Sequence, residues 1–402
     1  MKLLDKSNKL NHVSYEVRGP VLEEADKMIA AGEHVLKLNI GNPAVFGFSA
    51  PAPLLDEVAQ HVASSQAYSA SKGIAAACKA IAAYCATKGI PNVTEEDIYT
   101  GNGASDLISI ALQALLDTGD EILIPAPDYP LWTAAATLAG GKVVHYLCDE
   151  QADWSPDIAD MKKKITPRTK AIVVINPNNP TGALYEEAVL LEIAEVARQN
   201  GLLIFADEIY DRVVMDGYSH TSIASLAPDL FCITFNGLSK SHIVCGFRAG
   251  WMCLSGDKSR AQGYIEGINM LASMRLCANV PAQYAIPIAL EDKGPNPHYM
   301  PGGRLYEQNK YIYEALNSIP GVSAVKPKAS LYIFPKLDSR FHIVDDQKFA
   351  LDFLHQEKVL VVQGTGFNWI APDHFRIVFL PALHDLQAAM EKLARFLHTY
   401  RQ

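Results

Sequence analysis

At 402 residues, with 49% apolar and 20% charged residues, the chain is long enough for two domains and too apolar to be disordered. Thirty-five Lys and Arg against 44 Asp and Glu leave a net charge of -9, with no basic run to follow a phosphate backbone, which excludes nucleic acid as an expected partner. The start MKLLDKSNKLNH lacks a signal-peptide core and no apolar run nears the roughly 20 residues that span a bilayer, so a cytoplasmic protein without membrane contact is expected.

The first element in the chain is a helix, PVLEEADKMIAAGE, expected to pack with the C-terminal part. A strand end, a Gly-x-Gly turn and a helix follow in YTGNGASDLISIALQ (99 to 113). Strands are predicted at EILIP (121 to 125), AIVVI (171 to 175), LLIFADE (202 to 208), CITF (232 to 235) and AGWMCL (249 to 254). Between them, helical stretches such as EEAVLLEIAEVARQNG close on residues like Gly201, a common helix terminator. This alternation predicts a mostly parallel sheet covered by helices on both faces. Past residue 290 a Pro/Gly-rich passage, KGPNPHYMPGG, leads into a helix, the strands SLYIFPKL, VLVVQ and FRIVFL, and a terminal helix, a smaller α+β lobe. The expected division is 1–47 as a segment packing with the small lobe, 48–295 as the large domain and 296–402 as the small one.

Seven cysteines form no C-x-x-C and lie mostly in apolar segments, so they are expected to be reduced core residues. Twelve histidines lack ligand spacing, and no metal is expected. The GNG turn offers backbone N–H groups at a helix N-terminus and could hold an anion, or it is a plain turn with Ser105 as helix cap. It has neither the third glycine of a dinucleotide fingerprint nor a Gly-Lys-Ser/Thr, which disfavours NAD and ATP. In VVINPNNPTGALY (173 to 185), two prolines fix a loop that could hold an asparagine amide over a ligand. In LLIFADEIYDRV, Asp207 ends a buried strand where open α/β sheets bind ligands; it suits a cationic ring nitrogen, or else a helix cap or a solvated loop. Tyr210 is near enough to donate from its phenol. In ITFNGLSKSHIVCGFRAGW (233 to 251), Lys240 could act as a nucleophile toward an aldehyde and Arg248 as a phosphate clamp, the bland alternative being a surface lysine and a structural arginine.

In order and spacing, strand-GNG-helix, NPNNPTG, ADEIY, SK-x7-R and FRI resemble the fold-type I aminotransferases, from about Tyr15 to the C-terminus. Within them YEVRGPV, LNIGNPAVFGF, PAPDYPLWTAA, MLASMRLCANVPAQ and PGGRLYEQ look like the bacterial alanine (glutamate–pyruvate) aminotransferases. The resemblance implies a large domain with a mostly parallel seven-stranded sheet flanked by helices, a smaller α+β domain, and pyridoxal 5'-phosphate as cofactor. It implies transfer of an amino group between L-alanine/pyruvate and 2-oxoglutarate/L-glutamate by a ping-pong mechanism, the alternatives being an aspartate or aromatic aminotransferase or a same-fold β-lyase. Lys240 matches the Schiff-base lysine and Asp207 the partner of the ring nitrogen. Asn179 and Tyr210 match the donors to the ring 3-oxygen, and Asn179 also borders the substrate. Gly103, Ala104, Ser105, Ser239 and Arg248 match the phosphate cradle, and Tyr129 the stacked aromatic. Tyr68 matches a tyrosine reaching the neighbouring subunit's phosphate, which implies a homodimer with shared active sites. Arg376 matches the clamp on the substrate carboxylate, and Gly41 lies beside it. Tyr15 and Arg18 are candidates for closing over a small substrate, with Arg18 on the far carboxylate of glutamate. Gly237 stands where many relatives carry a phosphate-binding serine, and Arg275 is near the position that binds the distal carboxylate in aspartate-specific relatives.

Overall fold

The computed structural model describes residues 4–13, 15, 19–292 and 294–402. Helix α1 (Pro20–Ala30) begins on a proline, whose missing N–H would have no partner there, and buries Val21, Ala25 and Met28 along one face. Strand β1 (Leu36–Lys37) follows, then helices α2 (Ala52–His61) and α3 (Ala75–Thr87). The GNG turn joins β2 (Ile98–Asn102) to α4 (Ala104–Leu115). Next come β3 (Glu121–Ala126), α5 (Leu131–Leu138), β4 (Lys142–Asp149), β5 (Ser155–Pro156), β6 (Thr169–Ile175), β7 (Leu203–Asp207), β8 (Cys232–Gly237) and β9 (Ala249–Ser255). The helix between β6 and β7, Glu187–Asn200, ends on Gly201 in the left-handed region (φ 62°), as its sequence predicts.

These strands form one sheet in the order β2-β9-β8-β7-β6-β3-β4-β5. It contains the seven long strands implied by the resemblance and an eighth, the two-residue β5, paired antiparallel on the β4 edge. Strands β4, β3, β6, β7 and β8 are parallel, and β9 runs against both β8 and β2. The loops after β2, β3, β6, β7 and β8, and the loop entering β9, therefore all emerge at one edge. Alternate residues serve opposite faces: Ile172, Val174 and Ile204 join one buried cluster, and Ala171, Val173, Ile175 and Phe205 the other. Burial on both faces explains why these strands read as unbroken apolar runs.

A third cluster unites α1 (Val21, Ala25, Met28) with Phe349, Phe353 and Phe396 near the C-terminus. Here β10 (Val322–Ser323) pairs with β12 (Lys336–Leu337), β11 (Tyr332–Ile333) and β14 (Val362–Gln363) flank β15 (Phe375–Val378), and β13 (Val359–Leu360) runs parallel to β1. The chain ends in a helix, Leu383–Thr399, buried along one face.

Candidate active site

Lys240 sits on a single helical turn, Leu238–Ser241, directly after β8. Its Nζ donates to the Gly41 carbonyl at 2.5 Å and lies 3.8 Å from Cys245 Sγ. The turn is close to β9: a Cβ on Gly237 would stand 2.7 Å from the Ala249 carbonyl oxygen. Gly237 is extended (φ 170°), so the glycine answers to space rather than to backbone conformation, which accounts for the missing serine.

The GNG turn brings a cation to the start of α4. Gly103 (φ 79°) is the N-cap of α4, which corrects the reading of Ser105 as the cap. Ser105 lies inside the first turn, where its Oγ accepts from Arg248 Nη2 at 3.0 Å. Arg248 is itself left-handed (φ 57°), and its guanidinium also reaches the carbonyls of Asn102 and Cys245. A Cβ on Gly103 would stand 2.2 Å from Arg248 Nη2, and one on Gly250 2.4 Å from the Ala104 nitrogen. Two glycines thus let Arg248, Ser105 and the first free N–H groups of a 12-residue helix come close together, a setting for a phosphate. Ser239 lies buried one residue before Lys240.

Asp207, at the end of β7, is buried. Trp132 Nε1 donates to its Oδ2 at 2.9 Å and the Ile209 N–H to its Oδ1 at 3.3 Å. Desolvation raises its pKa despite these bonds, so a cation placed against it would be held strongly. The three asparagines of NPNNPTG do different work. Asn176 Oδ1 accepts from the Tyr185 N–H, and Asn178 Oδ1 from Thr181, so both brace the loop. Asn179 Oδ1 accepts from Arg376 Nη1 at 2.9 Å; because arginine only donates, this fixes which way the amide is turned and leaves its N–H₂ as a donor.

Arg376, on β15, is 2% exposed and has no carboxylate partner among the described residues. It donates to Asn39 O as well as to Asn179, and its guanidinium stacks between Tyr332 and Phe367, 4.3 and 4.5 Å from their ring centres. Its Nε and the Asn39 Nδ2 are buried without partners among the described residues. A desolvated cation with spare donors is arranged for an incoming anion, and a planar guanidinium matches a carboxylate in two bonds. Tyr332 OH pairs with Tyr210 OH at 2.8 Å, and a Cβ on Gly41 would stand 2.2 Å from Tyr332 OH. A continuous chain of contacts therefore joins Lys240, Gly41, Tyr332, Tyr210, Arg376 and Asn179.

Tyr129 OH and Tyr15 OH are 2.9 Å apart, which brings Tyr15 to the site; Arg18 falls outside the described residues. Tyr68 is 79% exposed. Arg275 is ion-paired with Asp106 and donates to the carbonyls of Ser71 and Thr100, so its charge is already committed. Trp132, Tyr332 and Asn39 escaped the sequence reading. Tyr332 lies in SLYIF and Trp132 opens a helix, and each reads there as core.

Comparison with known proteins accords with this geometry. The family model for aminotransferase class I and II matches residues 33–396. The glutamate-pyruvate aminotransferase AlaA of Escherichia coli K12 is 59% identical over the full length of both chains. The alanine aminotransferase of Mycobacterium bovis is 54% identical, over 99% of this chain and 93% of its own. A crystal structure of an Escherichia coli aminotransferase superposes with a TM-score of 0.98 at 59% identity, covering all of both chains. With a lysine, an aspartate and an asparagine on loops at one edge of the sheet, a buried arginine bonded to that asparagine, and this agreement along its length, the chain belongs to the class I and II aminotransferases.

Proposed function

We propose that the chain is a pyridoxal 5'-phosphate-dependent aminotransferase that exchanges the amino group between L-alanine and 2-oxoglutarate, giving pyruvate and L-glutamate, in two ping-pong half-reactions. The observation that carries the reading is the buried Arg376, a cation without a counter-ion among the described residues, which lies over Tyr332, the ring that meets Gly41 beside Lys240. The names of the relatives supply alanine and glutamate as substrates.

Pyridoxal phosphate, when bound, supplies an aldehyde and a cationic ring that delocalises the charge left when the α-proton departs. Arg248, Ser105, Ser239, Gly103, Ala104 and the start of α4 suit its phosphate, and Tyr129 its ring face. Asp207 would hold the proton on the ring nitrogen, its carboxylate kept in one orientation by Trp132 and the Ile209 N–H. Asn179 N–H₂ and Tyr210 OH donate to the ring oxygen. Arg376 grips the substrate carboxylate beside Gly41 and so orients the α-C–H. The Lys240 amine would take that α-proton as the general base. Tyr15, bonded to Tyr129, limits the room beside the substrate side chain, with Arg18 assigned to the distal carboxylate of glutamate. Arg275, held by Asp106, leaves the aspartate-specific reading without its cation.

We also infer a homodimer with shared sites. Exposed Tyr68 lies near exposed Met274 and Leu276, whose neighbour Arg275 bonds Ser71, a surface suited to a second copy that receives Tyr68. The three buried clusters favour a domain division near residues 47 and 295. Among the described residues no helix is long and apolar enough to cross a membrane, and all seven cysteines are free; the thiols favour the cytoplasm.

The test is one half-reaction. Cofactor-loaded protein mixed with L-alanine and no oxo acid should lose its visible absorption and release one pyruvate per site. Conversion by aspartate or tyrosine but not alanine would replace the substrate assignment, and ammonia release in place of transfer would make the protein a lyase.

A further inference from the structure

Behind the site lies a buried polar cluster that none of the assigned roles uses. At the end of β7, Asp207 and Tyr210 serve the site, whereas Glu208 and Asp211 turn away from it. Glu208 accepts from Ser222 Oγ at 2.6 Å. Asp211 accepts from Tyr84 OH, on α3, and from Lys88 Nζ at 2.9 Å, just past the end of α3. The same ammonium lies 2.9 Å from His220 Nδ1, and His220 Nε2 lies 3.1 Å from the Asn176 carbonyl oxygen. Glu208 Oε2 is a further 3.9 Å from that nitrogen.

Donor logic fixes this chain. A lysine ammonium has only protons to give, so His220 Nδ1 must accept, and the ring proton must sit on Nε2, where it can reach only acceptors. The Nε2–H therefore donates to the Asn176 carbonyl. Asn176 is then pinned at three points: its N–H donates to the Asp207 carbonyl at 3.0 Å, its side chain accepts from Tyr185, and its carbonyl is held by His220. Three residues on stands Asn179, whose amide meets Arg376.

We propose that Lys88 and His220 are positioning residues for the Asn179 loop, the ammonium of Lys88 selecting the imidazole tautomer that anchors Asn176. Lys88 also balances the buried Asp211, so one cation serves charge and tautomer together. The burial that keeps His220 neutral agrees, its pKa lying near 3. The role in catalysis rests on the reading of Asn179 as a cofactor and substrate contact; the tautomer does not.

Two measurements on the full chain decide it. In the first, nitrogen NMR of histidine-labelled protein should show His220 protonated at Nε2 and bare at Nδ1. In K88M/D211N, which removes the ammonium and its carboxylate partner, that preference should weaken, because only the acceptors facing Nε2 then favour a proton there. A wild-type His220 protonated at Nδ1, or a tautomer unchanged in the double variant, overturns the proposal. In the second, H220A should keep its cofactor and its KM for alanine within about twofold, while kcat per cofactor-loaded site falls about tenfold, the size expected when a group near the chemistry shifts by a fraction of an ångström. H220Q, whose amide can still donate to the carbonyl, should recover part of that loss. If wild type runs the half-reaction and H220A matches its kcat, the positioning role fails alone. If wild type converts no amino acid, the functional reading fails, and the tautomer then decides the Lys88–His220 coupling by itself.

Discussion

On the proposed reading Lys240 and Arg376 divide the chemistry into proton transfer and orientation, and each division can be broken separately. Lys240→Ala removes the amine that donates to Gly41 at the site, so turnover should fall by roughly a thousandfold or more. The cofactor should remain, held non-covalently by Arg248 and Asp207, so its absorption after gel filtration checks retention while pyruvate formation checks loss; full activity would remove the role of Lys240. Arg376→Lys keeps the charge but cannot reach Asn179, Asn39 and two carboxylate oxygens together. Losing about two charge-assisted bonds, ~3 kcal/mol, should raise the KM for alanine roughly 100-fold with cofactor affinity nearly unchanged. An unmoved KM would count against Arg376 as the carboxylate clamp. Most residues at this scale were legible because their motifs set charged or amide groups at strand ends, where an apolar core has no use for them. Trp132 and Tyr332 were not, because an aromatic ring suits a core equally well and only the partner of its polar atom shows the second use. Asn39 was hidden further, since its contact with Arg376 spans 337 positions.

The helix and strands of the proposed phosphate cradle approach so closely that glycine is the fit at their crossing. Gly250 on β9 faces the start of α4, and a Cβ there would press on the backbone of Ala104 and Gly103, neither of which can rotate away. Gly250→Ala should therefore push α4 from the sheet, costing about 1–3 kcal/mol, and should weaken cofactor binding in a fluorescence titration while lowering Tm. Cofactor affinity equal to wild type would show that the start of α4 does not hold the phosphate. The sequence showed β3, β6, β7, β8 and β9 within one or two residues, because burial on both faces makes each an apolar run, and the two-residue misses fall at the polar ends of β6 (Thr169, Lys170) and β8 (Asn236). It did not show β4, whose exposed and half-buried residues interrupt the pattern. SLYIFPKL read as one strand but forms two short ones, β11 and β12, separated at Phe334 and Pro335, since proline has no N–H for a ladder.

Across the whole molecule, the site depends on contacts between distant parts of the chain and, on the proposed reading, between two chains. Mixing Lys240→Ala with Tyr68→Ala and refolding them together should restore activity that neither has alone, because one mixed dimer site has both residues; no recovery would assign Tyr68 to its own subunit or to none. Within one chain, Asp128 joins the β3 loop to the C-terminal part: its N–H donates to the Phe367 carbonyl, its Oδ1 accepts from Asn368 at 2.6 Å and its Oδ2 from Thr133 at 2.7 Å. The next residue is Tyr129, so this joint also sets the ring proposed to cover the cofactor. Burial pushes the Asp128 carboxyl up to about 7 against the bonds that favour its charge. The acid is thus protonated in the folded state where the unfolded chain would already have released its proton. Its contribution to stability is complete below the ordinary aspartate range, near 4, and is lost as pH rises through about 7. Asp128→Asn copies the protonated form: the amide oxygen can accept from Asn368 and the N–H₂ can donate to Thr133, with no proton to lose. The Tm of the variant minus that of wild type should therefore grow from pH 5 to pH 8, by an amount equivalent to ~2–4 kcal/mol. A gap that stays flat or closes with rising pH would mean that Asp128 is already charged when folded, and that its bonds to Asn368 and Thr133 outweigh the cost of its burial.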